Sequence, residues 1–253
     1  MKTLFVGQNL IHLESVDSTN SYASELLRQI QLPEGSVIYT YKQEKGRGQR
    51  GNSWESEASK NVALSLILHP SFLSAEKQFL LSKITSLALA DLMAETLKCA
   101  GKPSKVSVKW PNDIYVNNQK IGGILIENIL RESVIQTAVI GIGVNVNQEM
   151  FSPEINATSL KLLANKEFDL MQLIERLCEF IEARYLQLKT NKLEIIDADY
   201  RKSLYRLDEW ANFSSGNQSF EGKIKGVSAI GKLQVELRSA EIKEFDLKEI
   251  VFI

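Results

Sequence analysis

A glycine-rich segment is the part of this 253-residue chain best suited to binding an anion. Gly46, Gly48 and Gly51 leave backbone N–H groups unshielded and permit turns with positive φ. Between Lys42 and Arg50 there are four basic residues and one acid, although the whole chain carries a formal net charge of −1. Such a loop suits a polyanion such as a nucleoside triphosphate. The spacing matches neither a P-loop nor a dinucleotide fingerprint, and a solvated turn is the alternative interpretation.

The sequence Lys-Trp-Pro-Asn-Asp at 109–113 combines a lysine with a rigid corner. Pro111 fixes one φ angle, and Asn112 and Asp113 hold turns through side-chain hydrogen bonds to the backbone. Lys109 is therefore expected to project from the end of a strand, where it can neutralise a carboxylate or a phosphate as a point charge. A surface lysine before an ordinary turn is the alternative.

Two later segments place glycines inside predicted strands. The pair Gly122 and Gly123 indicates that another group approaches the backbone closely. The segment 141–147, Gly-Ile-Gly-Val-Asn-Val-Asn, ends in asparagines such as Asn145 that can hydrogen-bond a ligand. Tight packing of strands explains both patterns equally well.

The start of the first predicted helix carries Ser18, Thr19 and Asn20. Free N–H groups and hydroxyls at a helix N-terminus can hold a small polar ligand. Plain helix capping is the commoner reason for such residues.

Helices and strands predicted around these segments indicate an α/β protein with a mixed sheet. Apolar spacing predicts a helix after Ser18, another from about 75 to 100, and one from the cap at Asp169 to about 188. The short alternating pattern after Tyr200 predicts a small β-barrel-like module. Strands are predicted at 37–41, 62–68, 105–109, 114–116, 119–127 and 134–146, with a hairpin turn at 117–118.

Composition restricts the classes of partner. With 30 basic and 31 acidic residues, no bulk polyanion such as duplex DNA is implied. Cys99 and Cys178 are expected to be buried free thiols, which favours a reducing compartment. The first thirteen residues do not resemble a signal peptide, and no apolar run is long enough to cross a bilayer. We therefore expect a cytoplasmic protein with no membrane partner.

In this order, the segments resemble those of biotin–protein ligases, from about Glu14 to Asn147. The resemblance implies that biotin's carboxylate attacks the α-phosphate of ATP to give biotinyl-5′-AMP, from which an acceptor lysine takes the biotin. It implies a catalytic domain like that of class II aminoacyl-tRNA synthetases over residues 1–195. An SH3-like C-terminal domain over 205–253 is implied as well.

The resemblance also implies residue roles. Lys109 and Arg47 would be catalytic, because fixed positive charges stabilise the charge that develops at phosphorus. Mg²⁺ would be held mainly by ATP, with no metal site on the protein. The residues implied to bind biotin or its adenylate are Ser18, Thr19, Asn20, Gln43, Arg47, Gly48, Gln49, Arg50, Trp54, Lys109, Gly122, Gly123 and Asn145.

Two departures from the family pattern are visible. Many members have arginine where this chain has Gln49, which predicts looser retention of the adenylate. The resemblance begins close to Met1, so a DNA-binding domain ahead of it is not expected.

Two other functions stay open at this point, namely lipoate or octanoate ligation in the same fold and a non-catalytic biotin sensor. The acceptor is expected to be a biotin carboxyl carrier domain of a biotin-dependent carboxylase. Whether the protein forms a homodimer is left open.

Overall fold

The apolar run Val62–Leu68 forms a strand in the middle of a seven-stranded sheet in the computed structural model, which describes residues 1–216 and 218–253 and only the backbone of Arg50. All seven residues of this strand are buried because both faces of the sheet are covered. Leu64 and Leu66 pack into the larger core, and Ile67 packs into a smaller core on the opposite face. Alternating side chains of one strand therefore serve two cores.

Within the described part of the chain, five α-helices flank the sheets. The helix α1 lies over the smaller core, where Ala23 is buried, and α2 and α4 enclose the larger core. The helices are α1 (Thr19–Gln29), α2 (Phe79–Cys99), α3 (Leu160–Ala164), α4 (Leu170–Lys189) and α5 (Leu193–Ser203).

The strands belong to two main sheets and one short hairpin. They are β1 (Leu10–Leu13), β2 (Val37–Thr40), β3 (Gly46–Arg47), β4 (Ser53–Trp54), β5 (Val62–Leu68), β6 (Val106–Lys109), β7 (Asp113–Val116), β8 (Gln119–Arg131), β9 (Val134–Val144), β10 (Trp210–Ser215), β11 (Gln218–Val227), β12 (Leu233–Leu237), β13 (Ile242–Phe245) and β14 (Val251–Phe252).

The first sheet is mixed, as the sequence predicts. Its strand order is β1-β2-β5-β9-β8-β7-β6, in which β1 and β2 are parallel and the other neighbours are antiparallel. The second sheet is antiparallel, in the order β13-β12-β11-β10-β14. The predicted α/β class and the β-rich C-terminal part are confirmed, whereas the division into domains at 195–205 stays a prediction.

Helix starts follow the predicted caps. The Ser18 hydroxyl accepts from the N–H of Ser21, and the Asp169 carboxylate accepts from the N–H of Gln172 at 3.0 Å. Among the described residues, no helix combines the length and apolarity needed to cross a membrane.

Three details differ from the sequence predictions. The predicted helix from 75 begins as a 3-10 turn, Ala75–Lys77, and its α-helical part starts at Phe79. The predicted loop at 45–54 contains the hairpin β3–β4 around a 3-10 turn at Gln49–Gly51. Strand β1 and helices α3 and α5 were not predicted, because β1 and α3 are short and the mostly polar surface of α5 weakens its periodicity.

Candidate functional site

One cavity of about 260 Å³ lies between the start of α1, the hairpin β3–β4 and the strands β8 and β9. This volume is just below the usual lower bound of about 300 Å³ for small-molecule pockets, so the cavity suits one small ligand. The sequence-predicted residues that line it are Ser18, Thr19, Asn20, Gln43, Arg47, Gly48, Gln49, Trp54 and Gly123.

The polar end of the pocket is a hydrogen-bonded network at the start of α1. The N–H of Thr19 donates to Oε1 of Gln43 at 3.0 Å. Oγ of Ser65 lies 2.8 Å from Oγ1 of Thr19 and 2.6 Å from Oδ1 of Asn20. Nδ2 of Asn20 donates to Oε2 of Glu127 at 2.9 Å. These polar groups, of which Thr19, Asn20 and Ser65 are buried, hold one another in place, so the pocket keeps a fixed set of donors and acceptors.

Glycines on β8 and β9 form the floor of the pocket. A Cβ at Gly141 would overlap the side-chain amide of Asn20. A Cβ at Gly143 would lie 2.5 Å from Cε2 of Trp54, and one at Gly123 would lie 3.2 Å from its Cζ3. The predicted close approach to Gly123 is confirmed, and Trp54 is the group that approaches.

Gly122 faces the other way. A Cβ there would lie 3.1 Å from Cδ2 of Leu89 on α2, inside the protein core. Adjacent strand residues point to opposite faces, so only one of the two glycines can face the pocket. The prediction that Gly122 is a binding residue is therefore wrong as far as contact with the pocket is concerned.

The charged end of the pocket carries Lys120, which the sequence analysis missed. Its Nζ lies 2.7 Å from Oδ1 of Asp113 and 5.6 Å from the ring centre of Trp54. Both charged side chains are about one quarter exposed. Lys248, from the turn between β13 and β14, lines the same cavity.

A β-bulge explains why Lys120 was missed. Strict alternation along β8 would place it on the face of Gly122, in the core. The register shifts between Ile114 and Tyr115, so that Tyr115 pairs with Lys120. The bulge turns Lys120 to the pocket face. Nothing in the sequence other than the nearby Gly-Gly pair marks this position.

Lys109 does not line the pocket, and its predicted catalytic role stays a prediction. Its Nζ lies 3.3 Å from the Tyr115 hydroxyl and sits 5.0 Å and 4.9 Å from the ring centres of Tyr115 and Phe252. Burial in this aromatic setting lowers the pKa of Lys109. The lysine is on the predicted face, but β6 is the edge strand and lies two strands beyond β8. It lies one strand, about 4.8 Å, beyond the pocket-lining Asp113 of β7, and its ammonium is turned to Tyr115 and Phe252 instead of the cavity.

The predicted loop residues reach the pocket in part. Arg47 lines the cavity, but its guanidinium pairs with Glu127 (Nη2 to Oε1, 2.7 Å) and donates to Oγ of Ser21 at 3.2 Å. Gly48 and Gln49 line the pocket directly. The side chain predicted at Arg50 lies outside the described part of the chain.

Asn145 has a structural role. It is almost fully buried, and its Nδ2 donates to the carbonyl of Thr158 at 3.1 Å. Its backbone N–H donates to the carbonyl of Ile121. Asn145 thus fixes the segment before α3 to the sheet and does not line the pocket, and its predicted role in binding the adenylate stays a prediction.

The chemistry available in the pocket is binding and charge stabilisation. The lining contains no histidine or cysteine among the described residues. Burial, helped by Asp113, raises the pKa of Tyr115 to about 12, so this phenol stays neutral. Among the described residues, no group of three metal-binding side chains was found. The cavity therefore suits a molecule with a polar ring at the Thr19 end and an anionic group at the Lys120 end.

Comparisons with known proteins identify one family. Residues 12–145 match the biotin/lipoate A/B protein ligase family. The bifunctional ligase/repressor BirA of Bacillus subtilis is 32% identical over 240 residues, which cover 93% of this chain and 72% of that protein. The biotin–[acetyl-CoA-carboxylase] ligase of Mycobacterium tuberculosis is 30% identical over 198 residues, which cover 77% and 71%.

A solved structure is similar over nearly the whole chain. The biotin protein ligase from Aquifex aeolicus in complex with biotin and ATP is 27% identical, with a TM-score of 0.78. The superposition covers 96% of this chain and 98% of that one. The similarity therefore includes the C-terminal sheet as well as the pocket.

Proposed function

The chain belongs to the biotin/lipoate A/B protein ligase family, and from this premise we propose how its pocket joins biotin to a protein at the expense of ATP. The enzyme is an ATP-dependent ligase whose substrates are biotin and ATP. We assign roles to individual residues from the pocket, which has a hydrogen-bonding end at Thr19 and a cationic end at Lys120.

In the first step, a biotin carboxylate oxygen attacks the α-phosphorus of ATP. A P–O bond forms, the bond to the β-phosphate oxygen breaks, and pyrophosphate leaves. We assign to Lys120 the role of holding the carboxylate against the α-phosphate, since a fixed cation stabilises the charge developing there. Asp113 keeps this ammonium oriented through the 2.7 Å contact.

In the second step, the amine of the acceptor lysine attacks the acyl carbon of biotinyl-5′-AMP and AMP leaves with the bonding electrons. Neither step needs a nucleophilic side chain on the enzyme. The hairpin β3–β4, with Gln49 at its tip, is placed to cover the mixed anhydride and keep water away from it.

Mg²⁺ is proposed to be bound chiefly by the phosphate oxygens of ATP. Mg²⁺ commonly binds through one or two carboxylates together with substrate phosphates. The described pocket offers Asp113 as a carboxylate, and this residue is engaged by Lys120. The ion would neutralise the charge of the leaving pyrophosphate.

The acceptor and the cellular setting are finer proposals. We propose a biotin carboxyl carrier domain as acceptor, supported by relatives named biotin–[acetyl-CoA-carboxylase] ligases. A cytoplasmic location is supported by the free thiols of Cys99 and Cys178. The balanced charge supports a ligase that does not bind DNA. Homodimer formation stays a prediction.

Exchange of pyrophosphate into ATP tests the proposal, because exchange requires a reversible adenylate-forming step. We expect exchange that depends on biotin and is not supported by lipoate or octanoate. Exchange with lipoate or octanoate alone would make the protein a lipoate-type ligase. Binding of biotin without any exchange would make it a sensor.

A further inference from the structure

Glu127 joins three elements around the polar end of the pocket. This carboxylate on β8 is about one third exposed. Its Oε2 accepts from Nδ2 of Asn20 on α1 at 2.9 Å, and its Oε1 accepts from Nη2 of Arg47 on β3 at 2.7 Å. Both side chains that it binds line the cavity, whereas Glu127 stands behind them.

The direction of the hydrogen bonds in this network follows from the carboxylate. An ionised carboxylate only accepts, so the atom of Asn20 that faces Glu127 must be the NH₂ group, and its oxygen must face Ser65. Ser65 then uses its single hydroxyl proton to donate to Asn20 at 2.6 Å. The 2.8 Å contact between Ser65 and Thr19 must consequently be a donation by Thr19.

The direction of these hydrogen bonds determines what Thr19 offers to a ligand. The hydroxyl proton of Thr19 is committed to Ser65, so Oγ1 of Thr19 offers only lone pairs to the cavity. The contact from Oγ1 of Thr19 to Oε1 of Gln43 is 3.4 Å, much longer than the 2.8 Å contact with Ser65, so the hydroxyl proton of Thr19 favours Ser65. The pocket thus presents an acceptor at this point and cannot switch to presenting a donor.

We propose that Glu127 is a positioning residue that fixes this direction and thereby selects ligands whose ring carries N–H groups. The inference rests on the proposed function, in which the ring is the cyclic urea of biotin. A site arranged to accept from an N–H group discriminates against analogues without one, because the buried acceptor is then left unpaired.

Substitution Glu127→Gln gives a sharp test because it changes few atoms and should reverse the direction of the hydrogen bonds that run through Asn20 and Ser65 to Thr19. The oxygen of the new amide is held by Arg47, so its NH₂ group faces the NH₂ group of Asn20. The side-chain amide of Asn20 is then expected to rotate by half a turn, because the repulsion between the two NH₂ groups outweighs its weak hydrogen bond to the Leu125 carbonyl, which lies 3.3 Å away. Ser65 would donate to Thr19, and the proton of Thr19 would be freed for the cavity.

The measurement is the ratio of dissociation constants for biotin and for biotin methylated on its ring nitrogens, determined by titration calorimetry without ATP. We expect Glu127→Gln to reduce the preference for biotin about tenfold, the worth of one hydrogen bond. In pyrophosphate exchange, the KM for biotin should rise while kcat at saturating biotin stays near that of the wild type.

Two further variants separate positioning from general damage. Glu221→Gln is the matched control, because Glu221 pairs with Arg238 on a strand of the second sheet, away from the pocket. The double variant Asn20→Asp/Glu127→Gln should recover part of the preference. The introduced aspartate would accept both from the introduced glutamine and from Ser65, which restores the original direction, while the Leu125 contact is lost.

Two results would overturn the inference. One is an unchanged preference ratio in Glu127→Gln, equal to that of Glu221→Gln. The other is a loss of kcat with no change in the ratio. A wild-type protein that shows no biotin-dependent exchange would instead contradict the proposed function.

Discussion

The ammonium of Lys120 lies 2.7 Å from the carboxylate of Asp113, and this pair forms the charged end of the pocket. Asp113 is the last residue of the Lys-Trp-Pro-Asn-Asp segment, whose first residue, Lys109, is directed elsewhere. The segment therefore contributes to the site through Pro111, Asn112 and Asp113, which line the cavity. The lysine that pairs with Asp113 is Lys120, which comes from the neighbouring strand β8.

Replacement of Lys120 by methionine is expected to lower kcat for biotin-dependent pyrophosphate exchange about 100- to 1,000-fold, the usual effect of removing one group that stabilises a transition state. Methionine keeps the length of the side chain and removes its charge. Lys109→Met is the matched control and should retain most of the exchange. A large loss of kcat in Lys109→Met and a small one in Lys120→Met would instead show that Lys109 is the catalytic lysine.

Lys109 is expected to act on stability through the C-terminal sheet. Its ammonium lies over the ring of Phe252 on β14, so the pair links the edge strand β6 to the second sheet. Lys109→Met should lower the free energy of unfolding by about 1 kcal/mol. A double-mutant cycle with Phe252→Leu, followed by thermal denaturation, should show coupling. If the two substitutions changed the free energy of unfolding additively, the proposed interaction between Lys109 and Phe252 would be contradicted.

Gly143→Ala is expected to displace Trp54 from the floor of the pocket. The added Cβ would lie 2.5 Å from the indole ring, a distance that real contacts do not adopt, so the ring or the strand must move. We predict weaker binding of biotinyl-5′-AMP and a change in Trp54 fluorescence. Gly226→Ala on β11 is the control, since its Cβ would meet only the end of Gln234 at 3.4 Å. Equal behaviour of the two variants would refute the packing argument.

Local sequence patterns predicted the elements that depend on local physics. The caps at Ser18 and Asp169 and the buried strand Val62–Leu68 follow from side-chain chemistry and periodicity, and all three are found in the structure. The glycines at 122 and 123 correctly indicated a close approach to β8. Their neighbours could not be named, because Trp54 reaches Gly123 from a hairpin far earlier in the chain and Gly122 packs against Leu89 of α2.

The site was predicted less well where it depends on tertiary geometry. Lys109 on β6 and Lys120 on β8 lie on either side of β7, and only the strand order shows that β6 is at the sheet edge. The bulge that aims Lys120 is a register shift between two strands, which a single strand's pattern does not reveal. The structural hydrogen bond of Asn145 could not be predicted, because its partner, the carbonyl of Thr158, belongs to an irregular segment.

Gln49 lines the cavity at the tip of the hairpin, where many family members carry arginine. Substitution Gln49→Arg would add a cation beside the phosphate of the adenylate. A charge-assisted hydrogen bond contributes about 1.5–3 kcal/mol, so the release rate of biotinyl-5′-AMP should fall at least about tenfold. The rate can be followed by displacement of labelled adenylate with excess unlabelled biotin and ATP. Gln29→Arg, at the exposed end of α1, controls for added charge. An unchanged release rate in Gln49→Arg would mean that the glutamine does not loosen the pocket, and that Arg47 and Lys120 already supply the cations that retention requires.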